Sequence, residues 1–331
     1  MQRPTTFDLI TIGDATLDVF LKIQEATVSC QVNKPQCLLC FNYADKIPVE
    51  EVVKIPGAGN ASNAAVGGSR LAMRTSIASV IGNDTVGKEI LQGWKREHVD
   101  MSHVHIDRQH ASNYSTVLSY EGERTILVYH HPHKYVLPAL EESEWIYYTS
   151  IGPGHERLEQ QLLRHLTKHP QHRLAFNPGT HQLKRGLDAL APVIKRSDLF
   201  TVNFEEASRL LTDGDRPVQN MLASFSKLGA KIVVITDGAN GSFATDGKMT
   251  WKMGIFPVKV KENTGAGDAF TTGMLYGLWK GFDMPNAMRI GTANAWSVVQ
   301  YIGPQAGLLN ERQLKAVLRK FSRIAAQNLN P

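Results

Sequence analysis

The sequence predicts an α/β protein built on a central, mostly parallel sheet with helices on both faces. Three observations predict it. Short apolar runs ending in turn residues alternate with segments of helical period, glycine-rich motifs stand where strands give way to helices, and 331 residues suffice for one large domain. With 42% hydrophobic and 20% charged residues, the composition is that of a folded chain and excludes a disordered or fibrous one. No apolar run reaches the roughly 18 residues that a membrane helix needs. Met1 to Asp14 lacks a cationic leader, so the expectation is a cytoplasmic protein without membrane attachment. A net charge of +5 suits anionic ligands but falls short of a nucleic-acid footprint.

The first element is Asp8-Leu9-Ile10-Thr11-Ile12-Gly13-Asp14, an apolar run closed by glycine, which reads as a buried strand with Asp14 and Asp18 beyond its carboxyl end. Residues 21–53 and 104–135 are polar and β-branched without helical period, and read as accessory β structure. From Asn60 the small residues Ala61, Ala64, Ala65, Gly67 and Gly68 lead to Leu71, as a helix packed closely on a sheet requires. Strands then follow at Thr75 to Ile81, Trp145 to Ser150, Leu174 to Asn177, Leu199 to Asn203 and Lys231 to Thr236. Helices fall at Leu158 to Lys168, Leu187 to Ile194, Glu205 to Leu211 and Val218 to Leu228. No repeat or low-complexity linker interrupts the chain, so residues 1–331 read as a single domain. Ligands of such sheets bind beyond the carboxyl ends of the strands, which gives priority to motifs found there.

The strongest motif is Glu262-Asn263-Thr264-Gly265-Ala266-Gly267-Asp268-Ala269-Phe270, between the strandlike Phe256 to Val260 and an apolar helix from Ala269 to Trp279. Glycines at a helix start let the N–H groups of Ala266, Gly267 and Asp268 converge on an anion, with the helix dipole adding to the attraction. Asp268 viewed alone is equally an N-terminal capping carboxylate. Beside an anion site, however, it is also what hydroxyl deprotonation during phosphoryl transfer needs.

Thr264-Gly265-Ala266-Gly267-Asp268 resembles the C-terminal signature of the ribokinase-like (PfkB) carbohydrate kinases. In them the aspartate is the catalytic base and the glycine turn is the anion hole. Ala58-Gly59-Asn60-Ala61-Ser62-Asn63, followed by Gly82-Asn83-Asp84-Thr85-Val86-Gly87, is similar to the family's N-terminal signature, with Ala58 in place of its first glycine. The resemblance, which runs from about Asp8 to Gly307, implies a ribokinase-like fold with a small β lid formed by 21–53 and 104–135. It implies acceptor contacts from Asp18, Gly59 and Asn63, and nucleotide contacts from Asn203, Thr236, Gly238 and Gly241. Glu206 would help organise Mg²⁺ through water, although Asn203 and Glu206 taken alone read as a helix cap with its capping-box partner. Relatives also hold a monovalent cation, for which Glu262, Thr264, Gly303 and Gly307 are the matching positions, so K⁺ is a candidate activator.

The implied activity is transfer of the γ-phosphoryl group of ATP to a hydroxyl of a small sugar of ribose or fructose type. A nucleoside acceptor is the alternative, with Phe41, Tyr43, Tyr114, Tyr120 and Tyr129 as candidate shelves for a base. A phosphorylated sugar would call on Lys46, Arg108, Arg124 or Lys134. A dinucleotide fold fails on glycine spacing, and a non-catalytic sensor would be expected to lack Asp268. An exposed lid edge offers a route to a homodimer. Cys30, Cys37 and Cys40 are the only cysteines and are read as reduced thiols. All 12 histidines lie between His98 and His181, but no Cys or His pair has a recognised zinc-finger spacing, so the clustering alone is not read as a metal site.

Overall fold

The computed structural model describes residues 6–30, 37–121, 123–212 and 217–330. Its main sheet has nine strands in the order Gln327–Asn328, Thr250–Met253, Ser242–Thr245, Ile232–Thr236, Leu199–Asn203, Arg173–Phe176, Ser143–Tyr148, Phe7–Ile12 and Thr75–Ala78. The six strands from Ile232–Thr236 to Thr75–Ala78 are parallel, and the remaining three extend the sheet antiparallel.

Strand periodicity sorts the core into two layers. Ile10, Ile12, Ile146, Tyr148, Val233 and Ile235 face one core, filled by Leu158 and Leu162 of the helix Glu156–Lys168 and by Val193 and Met221 of later helices. Leu9, Trp145, Tyr147 and Val234 face the other, against Phe270 and Met274 of Ala266–Trp279 and Ala287 and Met288 of Met284–Val298. The helix Asn60–Arg70 is rich in small residues because it is wedged between strands and a helix. A Cβ on Gly68 would lie 2.8 Å from the Thr75 methyl, and one on Gly67 would lie 3.0 Å from the Thr272 methyl.

The second sheet runs Glu123–Tyr129, Asn113–Tyr120, Thr16–Ile23 and Val49–Ala58. It therefore begins ahead of residue 21, and Asp18 lies within one of its strands, whereas Asp14 does follow the first strand of the main sheet. His105–Asp107 stays outside it and pairs with Val80–Gly82, so the apolar run from Thr75 to Ile81 splits between two sheets.

Two expectations are corrected here. Phe256 to Val260 forms no strand: Pro257 has no N–H to give a ladder, and its carbonyl accepts from the Trp296 indole, so the segment lies along a helix instead. Cys30 and Cys37 are joined as a disulfide rather than standing as reduced thiols, while Cys40 is free. The strands Thr27–Cys30 and Cys37–Cys40 pair antiparallel in a register that sets Cys30 directly opposite Cys37, with Cα atoms 4.2 Å apart. Among the described residues no helix is long and apolar enough to cross a membrane.

Candidate active site

The helix Ala266–Trp279 starts from Gly265, whose φ of 79° lies in the left-handed region and whose Cβ, if present, would sit 2.3 Å from Pro304 Cβ. Only glycine fits both demands. The N–H of Ala266 is spent on the Asn263 carbonyl at 3.2 Å, so it does not join the two that follow it. Those of Gly267 and Asp268 have no acceptor among the described residues, and Gly267 faces open space. Two free donors on the positive end of a fourteen-residue helix are an arrangement that can hold an anion.

Asp268 is buried beside these donors, and its Oδ2 accepts from Asn63 Nδ2 at 2.8 Å. Burial pushes its carboxyl up, the Asn63 hydrogen bond opposes that, and the charges of Glu206 and Asp18 add to the rise, leaving it at about 6. Asn63 comes from the helix Asn60–Arg70, which begins after Gly59 at a φ of 98°; a Cβ there would lie 2.6 Å from the Asp14 carbonyl. The orientation of the Asn63 amide is set by Gln305, which donates to Asn63 Oδ1 at 3.1 Å and to the Gly57 carbonyl at 2.7 Å. Sequence reasoning missed Gln305, which lies 242 residues from its partner.

Asp18 is buried on the second sheet, accepting from Thr16 Oγ1 at 2.6 Å. Burial raises its carboxyl, hydrogen bonds from Thr16 and Ser115 oppose the rise, and the Glu262 charge adds to it. Asp14, at the end of the first strand, was assigned no role by the sequence beyond its place; here it is buried with His130 Nδ1 3.1 Å away.

Across the helix start, Asn203 and Glu206 form a reciprocal capping box: Asn203 Oδ1 accepts from the Glu206 N–H at 2.8 Å, and Glu206 Oε2 from the Asn203 N–H at 2.9 Å. Glu206 Oε1 has no partner among the described residues. The strand Ile232–Thr236 then gives way to a turn held by the Asp237 N–H on the Gly241 carbonyl at 2.8 Å. Gly238 faces open space there, while Gly241, at a φ of 91°, passes so close to the Met253 carbonyl that no side chain fits.

Glu262 is buried and fully engaged. Oε1 accepts from the Thr264 N–H at 2.7 Å and lies 3.3 Å from Arg124 Nη1, and Oε2 accepts from the Gly303 N–H at 3.4 Å. Arg124 reaches it from the strand Glu123–Tyr129 of the second sheet, a contact that no local spacing signals. Gly307 stands behind, packed against Ser297 and Val298.

Comparison with known proteins bears on the family and the fold. The profile of the pfkB family carbohydrate kinases matches residues 21–311. The chain is 24% identical to the ATP-dependent 6-phosphofructokinase of Thermoanaerobacterium thermosaccharolyticum, over 90% of this chain and 89% of that protein. Arabidopsis thaliana ribokinase complexed with ribose and ATP superposes with a TM-score of 0.76 at 20% identity, covering 95% of this chain and 99% of the other. The nucleoside kinase of Methanocaldococcus jannaschii does so with a TM-score of 0.74 at 18% identity, covering 95% and 98%. With a match across most of its length and this fold, the chain belongs to the pfkB family of carbohydrate kinases, ribokinase-like phosphotransferases that use an alcohol group as acceptor.

Proposed function

We propose that this chain transfers the γ-phosphoryl group of ATP to a primary hydroxyl of a small free sugar of ribose or fructose type. The observation that carries the reading is the pairing of a buried aspartate, raised to about 6, with two unspent N–H groups at one helix start. Asp268 is largely ionised at neutral pH yet basic enough to take a proton as the hydroxyl attacks in line. The N–H groups of Gly267 and Asp268 stabilise charge gathering on the transferring group. Asp18 and Asn63 accept from and donate to the acceptor's hydroxyls and hold it against the base. ATP lies along the Thr236 to Gly241 turn, where Gly238 leaves room, with its γ-phosphate at the helix start.

The free oxygen of Glu206 next to Asn203 is a hard donor of the kind Mg²⁺ takes through water, and bound there Mg²⁺ supplies charge neutralisation on the phosphates. A monovalent cation fits poorly at Glu262, because both carboxylate oxygens already accept N–H donors and the guanidinium of Arg124 stands against one of them. Turnover is therefore expected to change less than about twofold when K⁺ is exchanged for Li⁺ at constant ionic strength. A tenfold dependence on K⁺ would show that Arg124 leaves the pocket during turnover.

Arg124 also bears on the acceptor. Paired with Glu262 it is not free for a substrate phosphate, and Lys46 and Lys134 are exposed, which favours a free sugar over a sugar phosphate. Of the candidate shelves for a nucleoside base, Phe41, Tyr43, Tyr114 and Tyr129 are exposed and the Tyr120 hydroxyl is committed to the Ala26 carbonyl, which favours a sugar as acceptor. The second sheet acts as the lid that excludes water from the site. Its outer strand Glu123–Tyr129, exposed throughout, is the edge through which a homodimer would form.

The pH profile tests the base directly. A carboxyl at about 6 is protonated and inactive below that value, so kcat/KM should fall through an acid limb near pH 6. Asn63→Ala removes the hydrogen bond that holds the carboxyl down, and the limb should move to higher pH. A limb near pH 4, or one that ignores the substitution, would remove Asp268 from the role.

A further inference from the structure

Twelve histidines in about one quarter of the chain are more than the phosphoryl-transfer site uses, and the fold gathers several into one place. Asp107 Oδ2 lies 2.9 Å from His110 Nδ1 and 2.8 Å from His133 Nδ1. The His131 ring stands beside both, with centroids 6.5 Å from His110 and 6.0 Å from His133. The His133 side chain is fully buried, and its Nε2 has no hydrogen-bond partner among the described residues. Asp107 and His110 border a hollow of about 330 Å³ that opens to solvent, with Arg108 and Lys134 on its rim.

The four residues come from the two legs of one hairpin. Asp107 and His110 precede the strand Asn113–Tyr120, and His131 and His133 follow Glu123–Tyr129. The first leg is also tied to the N-terminal signature. The Asp107 carbonyl accepts from the Asn83 N–H at 2.9 Å, and Asp84 accepts from the Ser112 N–H and hydroxyl at 2.9 and 2.7 Å. The cluster thus sits at the junction between the hairpin of the second sheet and the body that holds Asn63.

From this convergence we infer that Asp107, His110 and His133 bind a divalent transition-metal ion of the zinc class, with water completing the set, that clamps the two legs of the hairpin together. One carboxylate and neutral imidazoles select Zn²⁺, Co²⁺ or Ni²⁺ over Mg²⁺ or Ca²⁺, which take oxygen donors. With zinc bonds of about 2.0 Å, ligand atoms in a tetrahedral set lie about 3.3 Å apart, so an ion entering here replaces the two Asp107–imidazole hydrogen bonds and lengthens each of those contacts by about half an ångström. The other His-rich cluster, Glu142 with His165, His169 and His172, is less suited. Both nitrogens of its buried His172 are engaged, Nε2 with Glu142 at 3.2 Å and Nδ1 with His165 at 3.1 Å, whereas His133 keeps its Nε2 unpaired among the described residues.

Co²⁺ titration of the metal-stripped full chain tests this without nucleotide or sugar, so its outcome is independent of the kinase reading. One equivalent should bind with visible ligand-field absorption that Zn²⁺ abolishes. His110→Ala, at a partly exposed position, should weaken binding at least tenfold, while His169→Ala leaves it unchanged. Wild-type protein with bound metal should also resist proteolysis between residues 108 and 133 more than the stripped protein does. Absence of saturable absorption, or its loss in His169→Ala with retention in His110→Ala, would overturn the assignment. Circular dichroism of each variant keeps a folding defect from being read as lost affinity.

Discussion

Asp268→Asn is expected to lower kcat by ~10²-fold or more while leaving ATP affinity nearly unchanged, the scale of a lost general base. The substitution keeps the shape of the side chain and an oxygen to accept from Asn63, so the loss reports the missing proton acceptor. A second effect runs the other way. The folded carboxyl sits at about 6 against 3.8 when unperturbed, so between these values the folded state binds more protons and stability falls as pH rises. Above pH 6 the ionised group costs the fold up to about 3 kcal/mol, at 1.36 kcal/mol per unit. Asp268→Asn should therefore melt several degrees higher than wild type at pH 7.5, with the gap closing toward pH 4. A variant that is less active and also less stable at pH 7.5 would point to structural damage rather than to a removed base.

Asp18→Ala has the next largest expected effect, and it falls on the acceptor. A hydrogen bond to an ionised group is worth about 1.5–3 kcal/mol, so KM for the sugar should rise roughly ten- to a hundredfold with KM for ATP little changed. Because the Asp18 charge helps hold the Asp268 carboxyl up, the acid limb should also move to lower pH in this variant. An unchanged acceptor titration would place the sugar elsewhere.

The parts of this molecule that were legible in the sequence are those whose physics is local. The strand Leu199–Asn203 was read to the residue, because β-branched and apolar residues followed by an Asn cap carry their own boundaries. Gly265 announces a left-handed cap, and the small face of Asn60–Arg70 announces a helix pressed on its neighbours. What the sequence hid depends on closure of the chain. Gln305 orients Asn63, and Arg124 crosses from one sheet to neutralise Glu262, both over distances that no periodicity spans. The disulfide depends on the register of one hairpin, which places Cys30 opposite Cys37. Likewise Asp107 and His110 meet His131 and His133 only because the hairpin between them folds back, which spacing along the chain does not show. The Ala266 N–H illustrates the limit within a motif: the glycine pattern offers three donors, and a tight turn on Asn263 consumes one.

The most direct test of the account is ADP release from Mg²⁺-ATP with free sugars, sugar phosphates and nucleosides as acceptors, with Asp268→Asn measured beside the wild type. The account predicts turnover that depends on a free pentose or hexose and is lost in the variant. Preference for a sugar phosphate or a nucleoside would contradict the assigned acceptor, and equal turnover by the variant would contradict the assigned base.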